Sequence, residues 1–155
     1  MTINFHGEGN FEIKCKEGTV ITGEKMKINE FEIPGAGEYE VTGISAEMTD
    51  GIFTFRSEDM NLTYLRRKNP LNDSELERVK DTDILFIPIF ELMESKTAIE
   101  VINQIEPKIV LPMFYQTIEQ VKEIEGLSPE TSDQLKITKL NLPQEERKVI
   151  VLTKR

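Results

Sequence analysis

Asp83-Ile84-Leu85-Phe86-Ile87-Pro88 and, some twenty residues on, Ile109-Val110-Leu111-Pro112-Met113-Phe114-Tyr115 are the stretches that decide the fold. Each holds a continuous apolar run of strand length, and buried strands are expected at 84–89 and 108–111. Between them Ser95 opens the clearest helix of the chain. Ala98, Val101, Ile102 and Ile105 fall on one of its faces, and it must end before Pro107.

Outward from this unit the chain reads differently on its two sides. Toward the amino terminus apolar and polar residues alternate, with Ile3 and Phe5, then Phe11, Ile13 and Cys15 set against Glu12, Lys14 and Lys16. Turn residues at Gly7-Glu8-Gly9-Asn10, Glu17-Gly18, Gly23, Pro34-Gly35-Ala36-Gly37, Thr49-Asp50-Gly51 and Arg67-Lys68-Asn69-Pro70 separate short strands expected near 19–22, 30–33, 38–44, 52–56 and 61–65. After Pro70 the period changes. Asn72 with Glu75, and Thr117 with Gln120, have the spacing of capping boxes, the second opening a helix expected to stop at Gly126. The tail returns to strand at 135–138 and 148–153. Strands first and strand–helix alternation later imply two sheets with helices outside, an α/β (α+β) architecture in a single domain over residues 1–155.

Composition narrows the function classes. The net charge is −9, from 28 acidic and 19 basic residues, which disfavours nucleic acid and anionic membrane surfaces as partners. No apolar run approaches the roughly 20 residues that span a bilayer. One cysteine, Cys15, forms no internal disulfide, and no leader-like segment precedes the first strand, so a cytoplasmic location is expected. Cys15, in phase with Phe11 and Ile13, is expected to be a core thiol. The chain has a single histidine, His6, expected at the surface at a strand end.

Gly7 to Thr22, Ile33-Pro34-Gly35-Ala36-Gly37-Glu38-Tyr39-Glu40-Val41-Thr42-Gly43, Asp83 to Tyr115 and Leu135 to Leu152 together resemble the metallo-β-lactamase fold superfamily. The likeness is to its small bacterial branch of hydrolases similar to ascorbate-phosphate lactonase, and Lys96 to Met113 is its most specific part. The resemblance implies a four-layer αββα sandwich, here reduced, with two metals at one sheet edge. It also implies a His-x-His-x-Asp-His loop and further His and Asp ligands, and this chain departs from the pattern at each of them. Only Gly23-Glu24-Lys25-Met26-Lys27-Ile28-Asn29-Glu30 lies where the histidine-rich loop is expected. Phe114 stands where a histidine is expected after Pro112-Met113. The turn that would carry a Gly-Asp ligand reads Arg66-Arg67-Lys68-Asn69, and an early Gly-His-Ser motif is matched only by Gly7-Glu8-Gly9-Asn10. A guanidinium cannot ligate zinc. Phe114 and Arg67 are therefore expected at a degenerate metal position, Arg67 supplying the charge a metal has vacated.

These departures lead to the expectation of a noncatalytic protein without metal or other cofactor, serving as an interaction or oligomerising module for a protein partner or a second copy of itself. Phe114 and Tyr115 are expected first to fill a collapsed, packed pocket; the alternative is a surface aromatic contact for a partner, to which Met48, Ile52, Phe53 and Phe55 would add an exposed apolar patch. The competing expectation is a hydrolase or a binding protein for a small anionic ligand. Arg66, Arg67 and Lys68 would hold its phosphate or carboxylate, and His6 or Tyr115 would move a proton. Asp81 and Asp83, a pair that could take a hard cation, are expected to be solvated where the strand begins.

Overall fold

The computed structural model describes all residues 1–155. Short antiparallel strands β1 (Thr2–Phe5), β2 (Phe11–Lys14), β3 (Thr19–Ile21), β4 (Lys27–Ile28) and β5 (Phe31–Glu32) join β13 (Leu135–Lys136) in a six-stranded sheet of order β13-β1-β2-β3-β4-β5. A second sheet of eight strands runs β12-β14-β11-β10-β9-β8-β7-β6. It comprises β6 (Gly37–Val41), β7 (Ile44–Thr49), β8 (Ile52–Ser57), β9 (Met60–Leu65), β10 (Ile84–Pro88), β11 (Ile109–Met113), β12 (Glu130–Ser132) and β14 (Lys148–Leu152).

Period-two alternation assigns each face. Ile3, Phe5, Phe11, Ile13, Val20 and Ile28 point inward from the first sheet and meet Phe53, Phe55, Leu62, Tyr64, Phe86 and Leu111 from the second. Intervening residues of the second sheet, among them Ile52, Leu65, Leu85, Ile87 and Val110, face a layer of helices. These are α1 (Asp73–Val79), α2 (Ser95–Ile105) and α3 (Ile118–Lys122). Both strands expected at the decisive stretches are buried along their whole length.

The layers are sheet, sheet and helices. No helix covers the outer face of the first sheet, where Thr2, Glu12, Lys14, Thr19 and Lys27 alternate with the core residues. Polar side chains there need no cover, and this is the form the reduction of the four-layer sandwich takes.

Both capping boxes form, with Glu75 N–H donating to Asn72 Oδ1 at 2.8 Å and Gln120 N–H to Thr117 Oγ1 at 3.3 Å. Three local expectations need correction. Residues 38–44 are not one strand but the end of β6, a two-residue turn at Thr42 and Gly43 (φ 50° and 93°), and the start of β7. Alternation continues through so tight a turn, so the pattern alone does not show it. Helix α3 ends at Lys122, short of Gly126. Ile52, Phe53 and Phe55 form no exposed patch, being at most 3% exposed, because β8 is an interior strand with a core on each face.

Candidate functional site

Strands β9, β10, β11 and β14 run parallel, so the segments that leave their carboxyl ends gather along one edge. These segments begin at Arg66, Ile89, Phe114 and Thr153. The turn between β1 and β2, Gly7 to Asn10, reaches the same edge. Phe5 bridges Lys154, and the Phe114 N–H donates to the Glu8 carbonyl at 3.1 Å. The altered positions Gly7–Asn10, Arg66 and Phe114, far apart in sequence, thus lie together.

Gly9 is their point of convergence. Its carbonyl accepts hydrogen bonds from the Tyr64 hydroxyl at 2.7 Å and the Thr22 hydroxyl at 3.0 Å, and the Phe11 N–H donates to the same Thr22 oxygen at 3.0 Å. A Cβ on Gly9 would stand 2.6 Å from a Phe114 ring carbon and 2.6 Å from the Tyr64 oxygen. There is no space even for a methyl group. The Arg66 guanidinium closes the cluster from outside, 5.0 Å from the Phe114 ring centroid and 3.5 Å from the Tyr64 oxygen. Burial pushes the Tyr64 phenol above its usual range, against the opposing pull of Arg66.

The other sequence candidates lie elsewhere or are held in structural bonds. Arg67 points away from Arg66, as strand alternation requires. It pairs with Glu75 at 2.6 Å and donates to the carbonyls of Asp50, Asn69 and Pro70 at 3.2, 3.1 and 2.9 Å. Arg66, not Arg67, is the cation beside Phe114. Lys68 is exposed on the same turn. His6 is exposed, with Nδ1 3.3 Å from the Arg155 carbonyl. Tyr115 donates to the Leu152 carbonyl at 3.3 Å, and burial pushes its phenol up to about 12, which leaves it protonated and a poor proton carrier at neutral pH.

Asp81 is exposed, but Asp83 is only 4% exposed and not solvated as expected. Its Oδ2 accepts the Asn61 N–H at 2.8 Å, with Lys108 and Lys139 at 3.4 and 3.8 Å. It ties β9 to β10 at the opposite end of the strands. Cys15 is only partly buried, because it lies one residue past the end of β2.

The convergence point does not fit a metal centre. Its polar groups are a carbonyl, a phenol, a threonine hydroxyl and a guanidinium, and nowhere in the molecule do three His, Cys, Asp or Glu side chains gather in a metal-holding group. Catalytic zinc requires about three such ligands. A cleft of about 550 Å³ lies elsewhere, across β6–β9 beside α1, and the Arg78–Glu47 ion pair at 3.0 Å lies in it.

Sequence reasoning missed Tyr64 and Thr22, and it marks Gly9 only as part of the altered Gly7–Asn10 turn. Tyr64 reads as an ordinary core residue of its strand, and only its partner 55 residues away gives it this role. For Arg66 a signal existed, since it continues the inward parity of Leu62 and Tyr64.

Two sheets packed face to face, helices on one side and altered ligand positions at one edge define a metallo-β-lactamase-like fold. Residues 6–114 match the family model described as a beta-lactamase superfamily domain, and the chain belongs to that family. It is also similar to the crystal structure of a candidate zinc-dependent hydrolase of the metallo-beta-lactamase superfamily from Thermotoga maritima. The TM-score is 0.80 at 20% identity, over 98% of this chain and 98% of that one, a likeness of fold. No curated protein matches the chain.

Proposed function

We propose that this chain is a noncatalytic, metal-free member of its family that acts through contact with another protein chain. The observation that carries this reading is the packing at Gly9. The Phe114 ring and the Tyr64 hydroxyl come so close that a single added carbon would collide with both. A two-metal hydrolase needs at that edge an open, polar cavity lined by several ligands. Aromatic carbon, a phenol already hydrogen-bonded and a guanidinium supply neither the ligands nor the space.

The test is zinc titration of apoprotein by calorimetry, alongside turnover assays on a lactone and a phosphodiester with and without zinc. The expected result is no stoichiometric uptake and no metal-dependent turnover. Uptake of zinc with turnover that disappears on chelation would sink the reading.

One observation favours a second reading, a binding site for a small anion. Arg66 has no carboxylate partner, since it takes part in none of the ion pairs of the molecule. A phosphate-dependent rise in melting temperature that disappears in Arg66→Ala would support it. The same rise in both proteins would count against it.

A further inference from the structure

Beside the filled site, the segment that follows β10 presents two large apolar side chains to solvent. Ile89 and Met93 are fully buried and anchor its ends, while Phe90 and Leu92 between them are 40% and 43% exposed. Both have left-handed backbone, with φ of 81° and 70°, and so does neighbouring Phe114 at 57°. Residues with a bulky side chain avoid this region, and strain of this kind collects at contact and ligand sites. The segment is fixed to the edge described above, because the Glu91 N–H donates to the Phe114 carbonyl at 3.0 Å.

Resting on the noncatalytic reading, we propose that this edge is the contact surface for a second copy of the same chain, related by a two-fold axis. Two side chains of opposite charge beside the patch, Arg66 and Glu91, take part in no ion pair of the molecule. Arg66 lies over one side of Phe114 and has no carboxylate partner, while Glu91 is bound to the Phe114 backbone and exposed. The Glu91 carboxylate meets only the Gln116 side-chain amide, at 3.4 Å. A two-fold contact makes every residue face its counterpart's neighbours twice, so each Arg66 meets the other chain's Glu91 around paired Phe90 and Leu92 tips.

The β6 edge of the eight-stranded sheet offers a second copy no comparable fit. Antiparallel self-pairing of β6 about Tyr39 would set Glu38 opposite Glu40 on each side, like charges directly across the ladder.

Sedimentation equilibrium on the full chain tests the proposal. The wild type is expected to be dimeric at about 100 µM, where an interface with a dissociation constant of about 10 µM is mostly occupied. The double variant Phe90→Asn with Leu92→Asn is expected to be monomeric with an undiminished melting temperature, because asparagine accepts left-handed backbone. Arg66→Glu and Glu91→Arg alone are each expected to weaken the dimer at least about tenfold, and together to restore it. A monomeric wild type overturns the proposal. So does a dimer indifferent to the asparagine pair, or a double charge reversal as weak as either single one. Zinc-dependent turnover would instead defeat the noncatalytic reading whatever the assembly state, so the two failures are distinguishable.

Discussion

The Tyr64 hydroxyl donates a 2.7 Å hydrogen bond to the Gly9 carbonyl, joining the middle of the second sheet to the first turn of the chain. Around this bond the Phe114 ring packs against Gly9 and the Arg66 guanidinium lies 5.0 Å from the ring centroid.

If that edge is packed shut, enlarging Gly9 should be felt at Phe114. Gly9→Ala is expected to destabilise the fold by about 1–3 kcal/mol through overpacking. Phe114→Ala removes the obstructing ring, so the double variant should cost less than the sum of the singles by about 1 kcal/mol. Urea denaturation of the four proteins measures this coupling, and strict additivity would mean that the two residues do not compete for space.

Tyr115 should be visible at high pH. Its folded phenol titrates at about 12, above the ordinary 10, so between these values the unfolded chain gives up a proton that the folded chain keeps. Stability therefore falls as pH rises from 10 toward 12. Tyr115→Phe is expected to lessen that fall, measured as the denaturation midpoint from pH 9 to 12; an unchanged slope would contradict the assignment.

Arg67 and Glu75 should govern the acid limb. Burial alone would raise the Glu75 carboxyl, but hydrogen bonds from Arg67 and the Asn72 backbone outweigh it and hold the group below 4.5. A lowered folded value contributes stability that is complete above the unfolded 4.5 and is lost as pH falls through the folded one. Glu75→Gln is expected to flatten the loss of stability between pH 5 and 3. Arg67→Met should cost about 1–2 kcal/mol at neutral pH, since three backbone carbonyls also lose their donor.

Asp83 should matter more than a carboxylate at the start of a strand usually does. Asp83→Ala leaves the Asn61 N–H without its acceptor and is expected to cost about 1–3 kcal/mol by thermal or urea denaturation. Lys108 and Lys139, 39% and 50% exposed, can turn to water and add little. Asp83→Asn keeps an acceptor oxygen and should cost less, whereas equal losses would assign the effect to charge.

Cys15 should be a sluggish thiol. Burial raises its pKa, with Glu58 and Glu17 adding to the rise against a hydrogen bond involving Ser57. Its alkylation by iodoacetamide at pH 8 is expected to be slower than that of a free cysteine peptide. Equal rates would mean that the side chain opens readily to solvent.

Much of the fold was legible because its signals are local. The apolar runs of β10 and β11, the stripe Ala98, Val101, Ile102, Ile105 on α2 and the capping pairs Asn72–Glu75 and Thr117–Gln120 each lie within one helix or one strand or at a helix start. The site was legible only in outline. Phe114 and the Arg66–Lys68 turn were marked as altered positions, but Arg67 was given the place that Arg66 occupies. The inward parity of Leu62 and Tyr64 points to Arg66, whereas the Arg67–Glu75 pair becomes evident only when α1 packs beside the turn.

The sequence by itself determined most of the strand and helix segments, the family resemblance and which residues stand where that resemblance implies metal ligands, since these depend on residue type and short-range spacing. Tertiary structure decided that Gly9, Thr22, Tyr64, Arg66 and Phe114 close on one point, that Asp83 is buried and that the helices cover only one sheet. It decided these because each depends on a contact between residues brought together by sheet register and strand direction, over separations that no local pattern encodes.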